Sequence, residues 1–340
     1  RTEKTKEPSF TQNWLSNNKN KIAQLIVQAR EVNKFHGTFL SSIMKYQIKG
    51  RIHGEIQQLR SDTGGTVSGR LSMSNPNLQQ IPARNKDFGP KIRSLFIPED
   101  GYKWGSFDYS QQEPRMTVHY AASIGDGYEG SNELVEAYQN SSADFHQTVA
   151  DLVGIERSQA KTIGLGLMYG MGKGKLALSL GVSKDEADEL IIKYNRKIPF
   201  VKKLSDRCKF AADEKGVIRT KKGRKCRFDM WETKDFGLHV AEKFDDAVAK
   251  YGKDNIKRAY TYKALNRLIQ GSSADQTKQA MLDCYNKGHL PMLQIHDELC
   301  FNIKDENHAN EIKSIMENAI EFKVPSVVES GLGESWGDAK

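Results

Sequence analysis

The sequence has few cysteines and no long apolar segment. Only four cysteines occur in 340 residues, and none stands in a C-x-x-C pair, so neither a zinc site nor a disulfide framework is indicated. No uninterrupted apolar stretch approaches the ~18 residues of a membrane span, and no signal-peptide pattern opens the chain. The Gly-Lys pairs at 172–175 lack the glycine five positions earlier that a phosphate-binding P-loop requires. We therefore expect a protein of a reducing compartment such as the cytoplasm, without Walker-type nucleotide binding.

Positive charge is in excess. The 51 lysines and arginines outnumber the 43 aspartates and glutamates, which leaves a formal net charge of +8. This balance favours a polyanionic partner, although charge alone fits an ordinary basic protein equally well. A chain of 340 residues is long enough for about two or three domains. Because the first residue is Arg1 rather than methionine, we expect a fragment or a processed product.

Two aspartates lie at the ends of short apolar strands. Asp108 follows the run 102–107, and Asp297 lies in the turn between the apolar segments 293–295 and 299–301. If the fold brings them together, two carboxylates at one strand edge form a site for hard divalent cations such as Mg²⁺. Paired metal ions ~3.5–4 Å apart serve in-line phosphoryl transfer. The alternatives are an acidic hairpin turn at Asp297 and ordinary loop solvation of Asp108, since Asp is common in turns.

A stripe on one predicted helix has the residues to bind a nucleotide. Residues at i+4 spacing drift only ~40° per step around a helix, and four follow this spacing: Arg157, Lys161, Leu165 and Tyr169. A triphosphate fits the cationic end and a base fits the aromatic end. The three glycines in this segment each cost a helix ~1 kcal/mol relative to alanine, which close approach of a ligand or a hinge would compensate. The alternative is a surface helix with an ordinary charged face.

Apolar periodicity and turn residues indicate the order of the elements. Helical spacing predicts two helices within 1–50 and dominates from about 110 to 215. The remaining elements are a turn-rich segment over 51–107, a basic turn at 221–225 between two strands, a charged surface insertion at 229–260, a long helix over about 262–286 and a hairpin over 292–303.

Two residue pairs have the spacing of a helix capping box. Ser183 and Glu186 predict the start of one helix, and Ser110 and Glu113 predict the start of another. The second box would give Glu113 a purely structural role. Pro114 is compatible only with the very beginning of a helix, so the chain must turn sharply after the preceding strand.

Together these segments resemble the family A DNA polymerases, the DNA polymerase I-like group. The similar segments are 108–115 for motif A, 157–170 for motif B, 294–299 for motif C, 69–84 for the strand-and-loop signature ahead of motif A, 264–275 for the palm helix in a phage-like version, and 333–336 for the family's ending. The resemblance covers about residues 35–340.

The resemblance implies an α+β right-hand polymerase fold, with an antiparallel palm sheet, helical fingers and only the last part of the thumb. The implied divisions are partial thumb helices over 1–50, the first part of the palm over 51–116, the fingers over 117–261 with the insertion at about 229–260, and the second part of the palm over 262–340. Because so little chain precedes motif A, no 3′–5′ exonuclease domain is expected in it.

The resemblance also implies a role for each motif residue. Two Mg²⁺ ions, with Mn²⁺ as a substitute, would be held by Asp108, Asp297 and the Tyr109 carbonyl. The implied catalytic residues are Asp108, Asp297, Lys161 and, as a secondary carboxylate, Glu298. The implied nucleotide-binding residues are Arg157, Lys161, Leu165, Tyr169, Gln111, Tyr109 and Glu113, the last as a steric gate against ribonucleotides. The implied DNA-binding residues are Arg70, Gln79, Arg84, Gly170, Asn266, Gln270 and His296.

The sequence departs from the family pattern at several positions. Leu165 stands where Phe or Tyr is usual, Gln112 and Pro114 replace an apolar pair, and Tyr262 lies where the bacterial enzymes commonly have Arg. Loss of the ring at Leu165 affects nucleotide affinity and dideoxynucleotide discrimination rather than the reaction class.

The implied activity is template-directed DNA polymerisation, with primer–template DNA and dNTPs as partners and no membrane. One rival is a single-subunit RNA polymerase, which shares Arg-x3-Lys-x7-Tyr-Gly. At the positions of Glu113 and Glu298, however, this chain does not resemble those enzymes. Another is a catalytically silent DNA-binding fragment. A processivity factor, the absent thumb or exonuclease region and other replisome proteins are further candidate partners, in the host cytoplasm if the protein is phage-encoded.

Overall fold

A four-stranded antiparallel sheet carries the two aspartates. The computed structural model describes residues 10–61, 64–82, 85, 87–140, 144–235, 237 and 239–339. The strands are β1 (Gln47–Ile48), β2 (Arg51–Ile52), β3 (Glu55–Gln57), β4 (Ser72–Ser74), β5 (Lys103–Tyr109), β6 (Val217–Arg219), β7 (Lys225–Arg227), β8 (Trp231–Thr233), β9 (Ile256–Arg258), β10 (Leu293–Ile295), β11 (Glu298–Ile303) and β12 (Val328–Gly333). The main sheet has the order β10-β11-β5-β12, and the other strands form two-stranded pairs.

Helices make up most of the rest. They are α1 (Gln12–Asn17), α2 (Lys21–Lys34), a π-helical segment (Phe35–Leu40), α3 (Ser41–Lys45), α4 (Gly89–Arg93), α5 (Gln112–Ala122), α6 (Ser131–Asn140), α7 (Phe145–Val153), α8 (Arg157–Met168), α9 (Lys173–Leu180), α10 (Lys184–Lys197), α11 (Pro199–Lys215), α12 (Phe244–Tyr251), α13 (Ala264–Asn286) and α14 (Glu306–Glu317), with 3₁₀ turns at Leu78–Gln80, Lys253–Asn255 and Thr261–Lys263. No helix among the described residues is long and apolar enough to cross a membrane.

The main sheet is covered differently on its two faces. Phe107 and Tyr109 of β5 pack with residues of α13 and α14, whereas Trp104 packs with Trp336 on the opposite face. Because side chains alternate along a strand, Asp108 shares the face of Trp104. The helices therefore support the sheet from behind and leave the Asp108 end of the other face open to a ligand.

The helical region from 110 to 215 is confirmed as α5 to α11, which share one core with the first half of α13. At the start of α10, the Ser183 hydroxyl accepts from the Glu186 N–H at 3.2 Å, and the Glu186 carboxylate accepts from the Ser183 N–H at 2.8 Å. This predicted capping box is confirmed. The hairpin over 292–303, the basic turn between β6 and β7 and the long helix α13 are also present as predicted.

The N-terminal helices differ from the prediction. The structure has the short α1 and then one helical run from Lys21 to Lys45, which continues through a π-helical segment instead of breaking into two helices. Phe39 and Ile43 are buried, whereas Ile22 is 68% exposed because its stripe has no packing partner among the described residues. Apolar spacing correctly indicated helix here, but it did not locate the boundaries.

Residues 229–260 form a small unit attached to the body of the protein. Strands β8 and β9 pair antiparallel, and Trp231 packs edge-on against Phe244 with 5.0 Å between ring centroids. The Arg258 guanidinium lies 4.6 Å from the Trp231 ring centroid and donates to the Phe228 carbonyl at 2.9 Å. The unit is thus fixed to the β6–β7 hairpin through Arg258.

An ion pair with a buried carboxylate joins that hairpin to α13. Asp275, which is 8% exposed, accepts hydrogen bonds from the Thr220 hydroxyl at 2.6 Å and from Arg224 Nε at 2.7 Å. Truncation of Asp275 would remove the carboxylate that both Thr220 and Arg224 contact. This makes Asp275 the structural link between the basic hairpin and the long helix.

We expect Asp275→Ala to lower the free energy of unfolding by about 2 kcal/mol, because it removes the buried acceptor of hydrogen bonds from the Thr220 hydroxyl and the partly exposed Arg224 guanidinium. The measurement is urea denaturation followed by circular dichroism. Asp283→Ala, on the same helix, is the matched control, since Asp283 is half-buried and its carboxylate accepts from the Gln279 amide of the same helix at 2.8 Å. Equal losses in the two variants would contradict a special role for Asp275.

Candidate active site

The two aspartates meet at one edge of the main sheet. Strand β5 pairs with β11 so that Asp108 lies opposite Glu298, and it pairs with β12 so that Asp108 lies opposite Glu329. The Tyr109 N–H donates to the Asp297 carbonyl at 3.4 Å. The fold therefore brings Asp108 and Asp297 together, with two further carboxylates beside them.

Backbone geometry presents Asp297 at the tip of a tight hairpin. Ile295 pairs with Glu298, so only His296 and Asp297 form the loop, and His296 has a positive φ of 58°. The Gln294 amide donates to the His296 carbonyl at 2.6 Å, and the Gln79 amide donates to the Gln294 side-chain oxygen at 2.9 Å. The 3₁₀ turn that contains Gln79 thereby supports the hairpin, so this predicted DNA-binding residue has a structural contact.

The pKa values of both aspartates are raised. The pKa of Asp108 is raised to about 7, first by burial and then by the negative charges of Asp297, Glu298 and Glu329. Burial also raises the pKa of Asp297, while the positive charge of Arg70 opposes that shift. A cation at this edge would relieve the repulsion and favour the ionised carboxylates.

The ligand chemistry at this edge fits Mg²⁺. Mg²⁺ is bound through one or two carboxylates, with water and substrate phosphates completing its octahedron, rather than by a cage of protein side chains. Asp108, Asp297 and a neighbouring backbone carbonyl supply such oxygen ligands. In the part of the chain that the structure describes, no group of three or more His, Cys, Asp or Glu side chains is arranged to hold a metal by itself. A substrate-completed site is consistent with both observations.

Glu298 is fixed from behind. The Trp336 indole donates to Glu298 Oε1 at 3.2 Å, and the Cys300 thiol lies 3.5 Å from the same oxygen. Trp336 is 1% exposed and stacks on Trp104 at 6.1 Å between ring centroids. The segment that resembles the family's ending thus orients the carboxylate beside Asp108. No pattern in the sequence predicted the contact between Trp336 and Glu298.

Glu113 lies between two segments that are distant in sequence. Its carboxylate accepts from Arg70 at 2.7 Å and, through the other oxygen, from the Tyr169 hydroxyl. The pKa of Tyr169 is raised by burial and by the adjacent Glu113 charge. Because Glu113 is only 9% exposed, its side chain is held in place rather than free in solution.

The predicted capping box at Ser110 and Glu113 is wrong. Helix α5 begins after Gln111, which has a left-handed φ of 51° and makes no side-chain cap. The Ser110 hydroxyl instead donates to Glu329 at 2.7 Å. The left-handed residue does produce the sharp turn that Pro114 required, and the competing ion pair with Arg70 takes the Glu113 side chain away from the helix start.

The stripe that was predicted to bind a nucleotide lies on α8, with Tyr169 directly after the last residue of the helix. Arg157 begins the helix and binds Asp144, with Nε 2.7 Å from Oδ2, while Lys161 is exposed and Leu165 is half-buried. Asp144 also caps α7 by accepting from the His146 N–H at 2.9 Å. No sequence pattern indicated that Asp144 would pair with Arg157. Its position directly before an apolar helix predicts only its capping role.

Other predicted residues are placed as follows. The Gln111 side-chain oxygen accepts from the Phe145 N–H at 2.9 Å, so it is engaged within the fold. The Tyr109 ring is buried, and its hydroxyl donates to the Met316 carbonyl at 2.6 Å. Asn266 and Gln270 are half-buried on α13, His296 and Gly170 are exposed, and Arg84 lies outside the described residues.

Comparison with known proteins gives the family. A model described as DNA polymerase family A matches residues 1–338. The chain belongs to DNA polymerase family A. Among curated relatives, the DNA-directed DNA polymerase of Pseudomonas phage M6 is 37% identical over 378 aligned residues, covering 97% of this chain and 54% of that protein. DNA polymerase I of Caldicellulosiruptor bescii is 34% identical and covers 95% of this chain and 36% of that protein.

A solved structure gives the fold of this family member. The POL domain of Pol1 from M. smegmatis, in complex with DNA primer-template and dNTP, matches with a TM-score of 0.79 and 27% identity, over 100% of this chain and 58% of that one. The predicted α+β right-hand polymerase fold with an antiparallel sheet is confirmed. The family A chain spans about half the length of the phage M6 relative.

Proposed function

We propose that this chain is the polymerase portion of a template-directed DNA polymerase, which adds dNTPs to a primer 3′-hydroxyl by phosphoryl transfer. The observation that carries the proposal is the meeting of Asp108 and Asp297 at one sheet edge, through strand pairing and a shared backbone hydrogen bond. Arg70 and Glu113 are close enough to Asp297 to influence its charge, and Glu113 in turn binds Tyr169 at the end of α8. The carboxylates and the nucleotide-binding stripe therefore belong to one site.

Members of family A use divalent metal ions, and here two Mg²⁺ ions are proposed, with Mn²⁺ as a substitute. Asp108, Asp297 and the Tyr109 carbonyl would hold them, and Glu298 would add negative charge nearby. When bound, such ions acidify the primer hydroxyl and neutralise the charge of the triphosphate.

The α8 residues would bind the incoming nucleotide. Arg157 and Lys161 would clamp the phosphates, for which Arg157 must exchange Asp144 for the ligand, an exchange that an exposed ion pair makes inexpensive. Lys161 would donate a proton to the departing pyrophosphate. Leu165 and Tyr169 would pack against the sugar and base.

Residues from the other motifs would discriminate sugar and base pair. Glu113, fixed between Arg70 and Tyr169, would leave no space for a ribose 2′-hydroxyl. The proposed contacts to the primer end, the minor groove and the template are made by Arg70, Gln79, Arg84, Gly170, Asn266, Gln270 and His296, with Gln111 and Tyr109 shaping the nucleotide pocket. Contacts of this kind test base-pair shape without reading sequence.

The proposed subdomains follow the same assignment. Thumb helices would lie within 1–50, the palm within 51–116 and 262–340, and the fingers within 117–261. The phage-named relatives support action in the cytoplasm of an infected bacterium on primer–template DNA, together with other replication proteins.

Primer extension on a primed single-stranded template tests the function. We expect extension with dNTPs and Mg²⁺, no extension with rNTPs, and none after chelation with EDTA. Preferential use of rNTPs would identify an RNA polymerase instead. DNA binding without any extension would identify a catalytically silent DNA-binding protein and overturn the proposal.

A further inference from the structure

An open groove lies between the 229–260 unit and the loop that leads to β4. It has a volume of about 410 Å³, and its lining includes Met230 and Tyr260 from the unit and Val67 from the loop. Three guanidinium groups line it, those of Arg60, Arg227 and Arg267, against one carboxylate, that of Asp229. Neither the active-site motifs nor the α8 stripe explains this excess of positive charge.

Among the described residues, these three arginines do not form ion pairs with carboxylates. Arg267 stacks 4.4 Å from the Phe228 ring centroid and donates to the Arg227 carbonyl at 2.7 Å. Burial lowers the pKa of Arg267, and the positive charge of Arg60 lowers it further. Arg60 and Arg227 are exposed, and no carboxylate among the described residues forms an ion pair with either. The positive charge of the three arginines exceeds the single negative charge of Asp229, and such an excess is suited to bind an anion.

Side-chain contacts connect the edge of the groove to Gly170, one of the proposed DNA-binding residues. Tyr260 lies at the edge of the groove. The Lys263 ammonium is close to two aromatic rings, 5.1 Å from the Tyr260 ring centroid and 5.4 Å from the Tyr262 ring centroid. Gly170 packs closely against Tyr262, because a Cβ atom at position 170 would lie only 3.1 Å from a carbon atom of the Tyr262 ring. Alternating aromatic rings and cations are the surface to which a nucleic-acid strand binds, with bases on the rings and phosphates on the cations.

We propose that this groove binds the sugar–phosphate backbone of the template strand, and that the 229–260 unit serves as its outer wall. The inference rests on the proposed function for the choice of strand. The unit can form a wall because Arg258 fixes it to the body of the protein, and because the Ala259 N–H donates to the Met230 carbonyl at 2.8 Å across the pair of strands. Arg60 and Arg227 contact the phosphates, and Arg267 supports them from below.

The test is DNA affinity as a function of salt for Arg60→Ala/Arg227→Ala. Each lost phosphate contact reduces the slope of log K against log salt by about 0.9, so we expect the slope to become shallower by nearly 2 and the affinity at about 0.1 M salt to fall roughly tenfold. Fluorescence anisotropy with a labelled primer–template measures both. The control is Arg196→Ala/Arg207→Ala, which removes the same charge from exposed positions of α10 and α11 and should leave the slope unchanged.

Neutral phosphate analogues identify the strand. Methylphosphonates in the template should weaken binding by the wild-type protein but have little further effect on the groove variant, whereas methylphosphonates in the primer should affect both equally. An unchanged slope, a change equal to that of the control, or coupling to primer rather than template phosphates would overturn the proposal. Thermal unfolding confirms that the variants are folded. Extension by the groove variant at saturating DNA reports separately on the proposed function.

Discussion

Primer extension by the Asp297→Ala variant should fall by at least about 10³-fold, while its affinity for primer–template DNA stays within about threefold of wild type. Asp297 reaches the edge of β5 through a two-residue loop, and its carbonyl accepts from the Tyr109 N–H at 3.4 Å. Alanine therefore removes one of the proposed metal-binding carboxylates and retains the backbone contact that positions the loop. Single-turnover extension and equilibrium DNA binding measure the two quantities.

The Tm of Asp297→Ala shows whether this variant loses activity because its chemistry is impaired or because it unfolds. The Asp297 carboxylate repels that of Asp108, so its removal should not lower Tm. Asp185→Ala, at an exposed position on α10, is the matched control and should extend primers normally. Full extension by Asp297→Ala would reject the proposed mechanism.

The second large effect concerns the choice of sugar. Glu113→Ala should reduce the preference for dNTPs over rNTPs, as a ratio of kcat/KM values, by about 10²-fold, because a cavity replaces the side chain that would meet a 2′-hydroxyl. The contact of Glu113 with Arg70 at 2.7 Å complicates this variant, since alanine also releases Arg70 and Tyr169.

A second substitution at the same position isolates the steric effect. Glu113→Gln keeps the volume of the side chain and removes its charge, so most of the discrimination should remain even if overall activity falls. If Glu113→Ala leaves the ratio unchanged, Glu113 is not a gate. If Glu113→Gln loses as much discrimination as Glu113→Ala, the charge rather than the volume selects the sugar.

Local patterns in the sequence predicted local structure well. The α10 capping box, the hairpin around Asp297 and the helix α13 were all predicted, because caps, alternation and turn residues act over a few positions. The meeting of Asp108 and Asp297 required the family resemblance, since no short-range pattern determines which strands pair.

The contacts that sequence reasoning missed are all long-range. Glu113 has capping-box spacing, but its carboxylate binds Arg70, which lies in another segment, instead of capping the helix. Trp336 reaches Glu298 across the sheet face, and Arg157 pairs with Asp144 of a neighbouring helix. In each case a polar group could bind several partners, and only tertiary packing selects one.

The position of β5 between β11 and β12 has a consequence for how the site is assembled during folding. Asp108 pairs with Glu298 on one side and Glu329 on the other, so both neighbours of this strand come from far along the chain, across the whole helical region. Closing so long a loop costs entropy before any strand pairing repays it, and non-local pairing is the slow part of folding. The helices of residues 110–215 can form from local contacts, whereas the sheet edge with Asp108 and Asp297 forms only when segments on the two sides of that region meet. Helical structure should thus return early in refolding and polymerase activity late.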